Sequence, residues 1–197
     1  MTDDDDVLMW YPPADITPSE FEEWAAGVFE SARTSLDDIT VTIHDRITGT
    51  DGAFDFDATV RYRWAGIDFI VIVEAKRHKN PIKRELVQVL HSKMLSVGAH
   101  KGVMFSTSGF QRGAVEFAKK HGIALVTVTE GRFLYETRSA DHRPALTREE
   151  AKDFWNLPTF AGHYIEPGDT PGETRLTLID THHPEYVRDL LLSVPTT

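Results

Sequence analysis

The chain has no cysteine, which excludes disulfides and thiolate metal sites and is what a reducing cytosol expects. Long apolar runs are missing as well. The longest, Phe69 to Val73, is far too short to span a membrane. The N-terminus, MTDDDD, is acidic where a secretory signal would be basic and then apolar, so export by that route is not expected and a cytoplasmic location is. Positive charge is scarce: 21 Lys and Arg face 31 Asp and Glu, a net charge of −10. That balance argues against indiscriminate coating of nucleic acid. Setting aside the four aspartates at positions 3 to 6, a solvated tail, leaves −6, so a polyanion must dock on a local basic patch. There is no Walker A loop, no HExxH pair among the nine histidines, no G-x-S-x-G elbow and no helix-turn-helix or zinc-finger pattern. Nucleotide hydrolysis, zinc chemistry, acyl transfer and a dedicated DNA-reading module are thereby disfavoured.

What remains is a soluble, globular composition: 197 residues, 41% hydrophobic and 26% charged, enough for one ordinary domain and a modest appendage. Thr17-Pro18-Ser19-Glu20 is a capping box, and Phe21, Trp24, Ala25, Val28 and Phe29 follow as one helical stripe. Ile39, Val41 and Ile43 alternate as in a strand. Residues 54–62 and 68–75 read as two further strands around the turn Trp64-Ala65-Gly66-Ile67. Asn80-Pro81 precedes a helix from Lys83 to Val97, stopped by Gly98. Gly102 to Ser106 reads as an inner strand, Ser108-Gly109-Phe110-Gln111 as a second capping box opening a helix to Gly122, and Ile123 to Val128 as the next strand. The order α-β-β-β-α-β-α-β calls for helices covering a mixed sheet. Beyond it, Phe133 to Glu136 suggests an edge strand, Thr147 opens a short helix, Arg175 to Ile179 reads as a strand and Pro184 to Leu192 as a terminal helix. The expected division is an acidic tail over 1–16, a main domain over 17–137 and a C-terminal extension of unknown role over 138–197.

The hairpin carries the chemistry. With the turn centred between Ala65 and Gly66, partner numbers add to 131, so Asp57 lies opposite Glu74 and Asp55 opposite Lys76. Alternation puts Asp55, Asp57, Thr59 and Arg61 on one face, and Phe54, Phe56, Ala58, Val60 and Tyr62 on the other. Two facing carboxylates repel unless something positive sits between them, and a divalent cation is the economical answer. A hard cation such as Mg²⁺, or Mn²⁺, suits Asp57, Glu74 and the Ala75 carbonyl. Such an ion acidifies a coordinated water, and the Lys76 ammonium can orient it, which is chemistry that serves phosphodiester hydrolysis. Immediately afterwards Lys76, Arg77, His78, Lys79, Lys83 and Arg84 form the local basic run that the acidic chain otherwise lacks. Ser106, Thr107 and Ser108 precede a helix N-terminus, where ordinary capping competes with phosphate binding.

Asp … Glu-x-Lys on a hairpin in this element order resembles the PD-(D/E)xK nuclease superfamily. The phrases FDFDATVRY, VEAKRH, Gly98-Ala99-His100-Lys101-Gly102-Val103 and STSGFQRGAVEFAKKHGIAL, with Phe21-Glu22, narrow the resemblance to its Mrr-like restriction endonuclease group, over residues 18–131. The resemblance implies a three-layer αβα sandwich and a Mg²⁺-dependent DNA endonuclease in a restriction, defence or DNA-processing context. In it Asp57 and Glu74 bind metal, Lys76 assists the attacking water, and Arg77, Lys79, Lys83 and Arg84 hold the DNA backbone. Asp57 maps best to the family aspartate, with Asp55 as the competing choice. Glu22 matches a helix-one glutamate of some relatives, and Gln88 a polar helix position; an ordinary surface role competes for both. Glutamate at position 74, where many Mrr relatives carry glutamine, restores the usual acid of the superfamily. Weak sequence preference, a homodimer or a targeting partner follows from the lack of a DNA-reading module. The competing readings are a nuclease-like module that binds without cutting, and a nuclease for RNA or branched DNA.

Overall fold

The computed structural model describes residues 12, 14–34, 36, 38–136, 146–167 and 174–193; the aspartates of the tail lie outside them. Its centre is one seven-stranded sheet in the order β1-β2-β3-β4-β5-β6-β7. The strands are β1 (Thr40–Thr48), β2 (Ala53–Trp64), β3 (Ile67–Lys76), β4 (Lys101–Ser106), β5 (Ile123–Glu130), β6 (Phe160–Pro167) and β7 (Thr174–Ile179). The helices are α1 (Pro18–Ser31), α2 (Arg84–Val97), α3 (Arg112–Lys120), α4 (Phe133–Glu136), α5 (Arg148–Trp155) and α6 (Pro184–Leu192). Among the described residues no helix is long and apolar enough to cross a membrane.

The pairing makes the sheet mixed. β1, β2 and β3 form an antiparallel meander, β3, β4 and β5 are parallel, and β6 and β7 return antiparallel. Parallel neighbours require crossovers, which α2 and α3 supply. Both steps move the same way along the sheet, so both helices lie on one face. They pack Val87, Leu90, Met94, Ala114 and Ala118 against Ile72, Met104 and Leu125. On the other face α1 and α6 place Phe21, Ala25, Val28, Phe29, Val187 and Leu190 against Val60, Val71, Val73, Phe105 and Val126. The result is the expected three-layer αβα sandwich. Phe105 anchors it, packed edge to face with Trp24 and Phe29 at ring-centroid distances of 5.5 and 5.8 Å.

Local signals explain most boundaries. Thr17 and Glu20 form both halves of the capping box that opens α1. Gly98 closes α2 at φ 66°, in the left-handed region. Ala65 and Gly66, at φ 50° and 80°, give the tight turn that fixes the hairpin register. The β2–β3 ladder keeps the expected register from Trp64↔Ile67 to Ala58↔Val73, but it stops there and does not include the expected Asp57↔Glu74 and Asp55↔Lys76 pairs.

Three expectations differ. Phe133 to Glu136 is a short helix rather than an edge strand. Ser108 opens no capping box: its hydroxyl donates to the Asn80 carbonyl at 2.8 Å, and the helix begins at Arg112 without a side-chain cap. Phe54 and Phe56 do not share a face with Ala58, Val60 and Tyr62, because they pack on the α2–α3 side while the other three pack on the α1 side. The cause lies at His44 and Asp57. His44 adopts a left-handed φ of 53°, and the pair drops out of the β1–β2 ladder although the register is the same on both sides. β1 and β2 therefore bend together at the aspartate.

Candidate functional site

Ligand sites of open α/β sheets gather at the carboxyl ends of parallel strands. Here that end of β3 is Glu74-Ala75-Lys76, with Lys76 in register with Ser106 of β4. Where the ladder stops at Ala58↔Val73, the Asp57 side chain takes over. Its Oδ2 accepts the Ala75 N–H at 2.6 Å, which brings the carboxylate one peptide from Glu74. Glu74 is 5% exposed. Its Oε2 is paired with the Lys76 ammonium and its Oε1 accepts from Lys93 Nζ at 2.6 Å. A carboxylate removed from water needs such partners, because an unpaired buried charge is strongly destabilising. Lys93 also lies 5.5 Å over the Phe56 ring, so the bend that turns Phe56 inward builds the wall on which this lysine rests.

Asp45, beside the bend, braces it. Its Oδ2 accepts from the Thr59 hydroxyl at 2.7 Å and pairs with Arg61 at 2.8 Å. Burial by itself would raise the Asp45 pKa; the Thr59 and Arg61 hydrogen bonds outweigh it and hold the carboxyl below its ordinary value.

The segment after Lys76 is fastened by the hydroxyls of the β4–α3 connection. Thr107 Oγ1 accepts from the His78 N–H and donates to the His78 carbonyl, both at 3.2 Å, while Ser108 holds Asn80 and the Ile82 N–H donates to Gly109 at 2.8 Å. Ser106, Thr107 and Ser108 are at most 2% exposed. Their task is to pin this loop, which leaves Arg77, Lys79, Lys83 and Arg84 exposed on a fixed backbone. Arg77, Lys79 and Lys83 form no ion pair among the described residues, and Arg84 lies 5.2 Å over Phe117.

A family model described as Restriction endonuclease, of the Mrr catalytic type, matches residues 14–130. The chain belongs to this restriction endonuclease family. The match ends at the last residue of β5, so β6, β7, α5 and α6 lie beyond it. Two solved structures are similar to this chain. A protein of unknown function, AF1548, is 18% identical with a TM-score of 0.39, the likeness covering 50% of this chain and 56% of that one. The DNA modification-dependent restriction endonuclease AspBHI is 20% identical with a TM-score of 0.33, over 61% of this chain and 36% of that one. The chain thus spans little more than half of the first structure's length and about a third of the second's. Among curated proteins none matches.

Of the residues singled out in the sequence, the structure gathers Asp57, Glu74, Ala75 and Lys76 at one strand end. Asp55 is drawn away: exposed, it binds Arg46 of β1 at 3.0 and 2.9 Å instead of facing Lys76. Glu22 of α1 lies 3.4 Å from His44 Nε2, at the bend opposite Asp57. Gln88 is half-buried on α2 and makes no side-chain hydrogen bond among the described residues. Lys93 is the residue that sequence reasoning missed. The available signal was its place in the apolar stripe of α2, at i+7 from Leu86 and i+3 from Leu90, where a charge requires a partner.

Among the described residues no group of three or more His, Cys, Asp or Glu side chains is assembled for a metal. The donors on offer are two carboxylates and a backbone carbonyl, which suit an ion that keeps several of its waters and takes a phosphate oxygen from substrate. Mg²⁺ fits that description, and a closed all-protein zinc site does not.

Proposed function

We propose that the chain is a divalent-metal-dependent DNA endonuclease whose working groups are Asp57, Glu74, the Ala75 carbonyl and Lys76, with Mg²⁺ or Mn²⁺ as the ion. One observation carries the reading: a buried carboxylate and a lysine paired at the end of β3, with a second carboxylate locked onto the peptide between them. Restriction endonucleases generally use divalent metals. When bound, the ion would supply Lewis acidity toward the phosphate and a more acidic water. The chain's own residues do the rest. Asp57 and Glu74 would hold the ion at the carboxyl end of β3. Lys76, on the same stretch of strand, orients the attacking water and balances charge on the phosphate. Arg77, Lys79, Lys83 and Arg84 hold the flanking backbone, which lets an acidic protein approach DNA along one edge only.

Two features bear on what is cut. None of the basic side chains belongs to a groove-reading helix motif, so sequence preference is weak unless a second copy or a targeting partner provides it. One site cuts one strand per event, and double-strand cleavage requires a pair of chains. A second reading, binding without cutting, draws on the double occupancy of Glu74 by ammonium groups.

The test is plasmid cleavage with Mg²⁺ or Mn²⁺ and a chelator control, repeated on RNA and on branched DNA. Asp57→Asn and Lys76→Ala are expected to reduce cleavage at least about a hundredfold while leaving circular dichroism unchanged. Undiminished cutting by both would refute the assignment. Binding without cleavage under every metal would establish the second reading instead.

A further inference from the structure

The nuclease reading uses Lys76 and leaves Lys93 unexplained. Lys93 is not a surface ion pair: the side chains of Lys93 and Glu74 are 23% and 7% exposed, and Lys93 comes from α2, the crossover helix that follows β3. We propose that Lys93 is a resident counter-cation of the metal site, a positioning residue that makes metal uptake conditional on DNA. The proposal rests on the reading of Asp57 and Glu74 as metal ligands.

Asp57 and Glu74 carry two negative charges, and Lys76 and Lys93 carry two positive ones, so the cluster is neutral before any ligand arrives. A dication entering a neutral cluster gains nothing from net charge and meets two ammoniums at close range. A scissile phosphate brings the missing negative charge and engages Lys76. Lys93 cannot follow the phosphate outward, because its ammonium is held at Glu74 Oε1 and sits over the buried Phe56 ring. In the free protein it therefore holds the Glu74 carboxylate in place, and it lowers the affinity for the ion. An ammonium about 6 Å from a dication, screened as in water, is worth roughly tenfold in affinity, and more where water is excluded.

The experiment measures Mn²⁺ binding to the full chain by electron paramagnetic resonance and calorimetry, with and without a short DNA duplex. The variants are Lys93→Met, Lys93→Gln, Lys93→Arg and Asp57→Asn. Without DNA, Lys93→Met and Lys93→Gln should bind Mn²⁺ at least about tenfold more tightly than the parent, and Mn²⁺ should raise their melting temperatures more. Lys93→Arg should behave like the parent, since it retains the charge. DNA should tighten Mn²⁺ binding strongly in the parent and weakly in the two neutral variants. The glutamine variant keeps a hydrogen-bond donor for Glu74, so the comparison survives if the methionine variant folds poorly. Equal or weaker Mn²⁺ binding by both neutral variants, with Asp57→Asn still abolishing binding in the parent's DNA complex, overturns the role of Lys93 and leaves the metal site intact. Absence of Mn²⁺ binding in every protein, with and without DNA, overturns both.

Discussion

A single methyl group has opposite value at two glycines of this chain. Gly131 follows β5 directly, and its N–H donates to the Thr159 carbonyl at 3.0 Å, closing the base of the excursion that returns as β6. A Cβ at Gly131 would fall inside the Pro158 carbonyl oxygen, a backbone atom that cannot step aside. At Gly27, within α1, a Cβ meets nothing within 4 Å. Gly131→Ala is therefore expected to cost about 3 kcal/mol, and Gly27→Ala to gain up to about 1 kcal/mol from lost backbone freedom in the unfolded chain. Calorimetric melting of both variants checks the pair. Equal shifts would contradict the close approach at Gly131. Residue-scale reading of the sequence had an uneven yield for a physical reason. Asp57, Glu74 and Lys76 were legible because they sit on one hairpin, where register is local arithmetic. Lys93 was obscured because its partner is 19 positions away across a helix crossing, which spacing alone does not encode. Asp55 was a plausible competitor until its neighbour Arg46, on a different strand, claimed it.

At the scale of elements, α1 shows how far local chemistry reaches. Thr17 accepts the Glu20 N–H at 3.3 Å, and the Glu20 carboxylate accepts the Thr17 N–H at 2.9 Å, so two orphan donors are satisfied reciprocally. Thr17→Ala should lower stability by about 1 kcal/mol without altering the sheet, which urea denaturation with an unchanged m-value would show. A fall well beyond that would mean the start of α1 is held by more than its cap. Elements with such signals were legible: both helix caps of this form, the Gly98 stop and the Ala65-Gly66 turn. β6 was not. Phe160 to Pro167 contains a glycine and ends in proline within a stretch rich in both, and its place is fixed by pairing with β5 rather than by alternation. The bend at His44 was equally hidden, since a histidine at positive φ leaves no pattern in its neighbours.

For the whole molecule, the last two strands are part of the same sheet as the family-matched region rather than a separate body. A buried lysine reinforces the join. Lys101 of β4 donates to the Ser193 carbonyl at 2.8 Å, at the end of α6, and is 6% exposed. Burial pushes its pKa down to about 8, against the opposing pull of the Glu166 carboxylate. The sign follows from proton counting. Between about pH 8 and 10.5 the unfolded chain holds a proton on this lysine that the folded chain has released, so stability rises with pH across that window. Below it the charged, desolvated ammonium weighs fully against the fold. The contribution is on the order of 3 kcal/mol. Melting temperatures of the parent and Lys101→Met, compared from pH 7 to 10, should converge as pH rises; parallel curves would remove Lys101 from the account.

The Asp57–Ala75 link has one further implication. Because a side-chain oxygen stands where the neighbouring strand's main chain would otherwise accept, the last rung of the hairpin is made by the same atom group that is assigned to chemistry. Whatever pulls that carboxylate toward an incoming ligand also tugs on the Ala75 amide proton. That one N–H thus becomes a native sensor, reporting ligand arrival at this strand end through its exchange rate and resonance frequency.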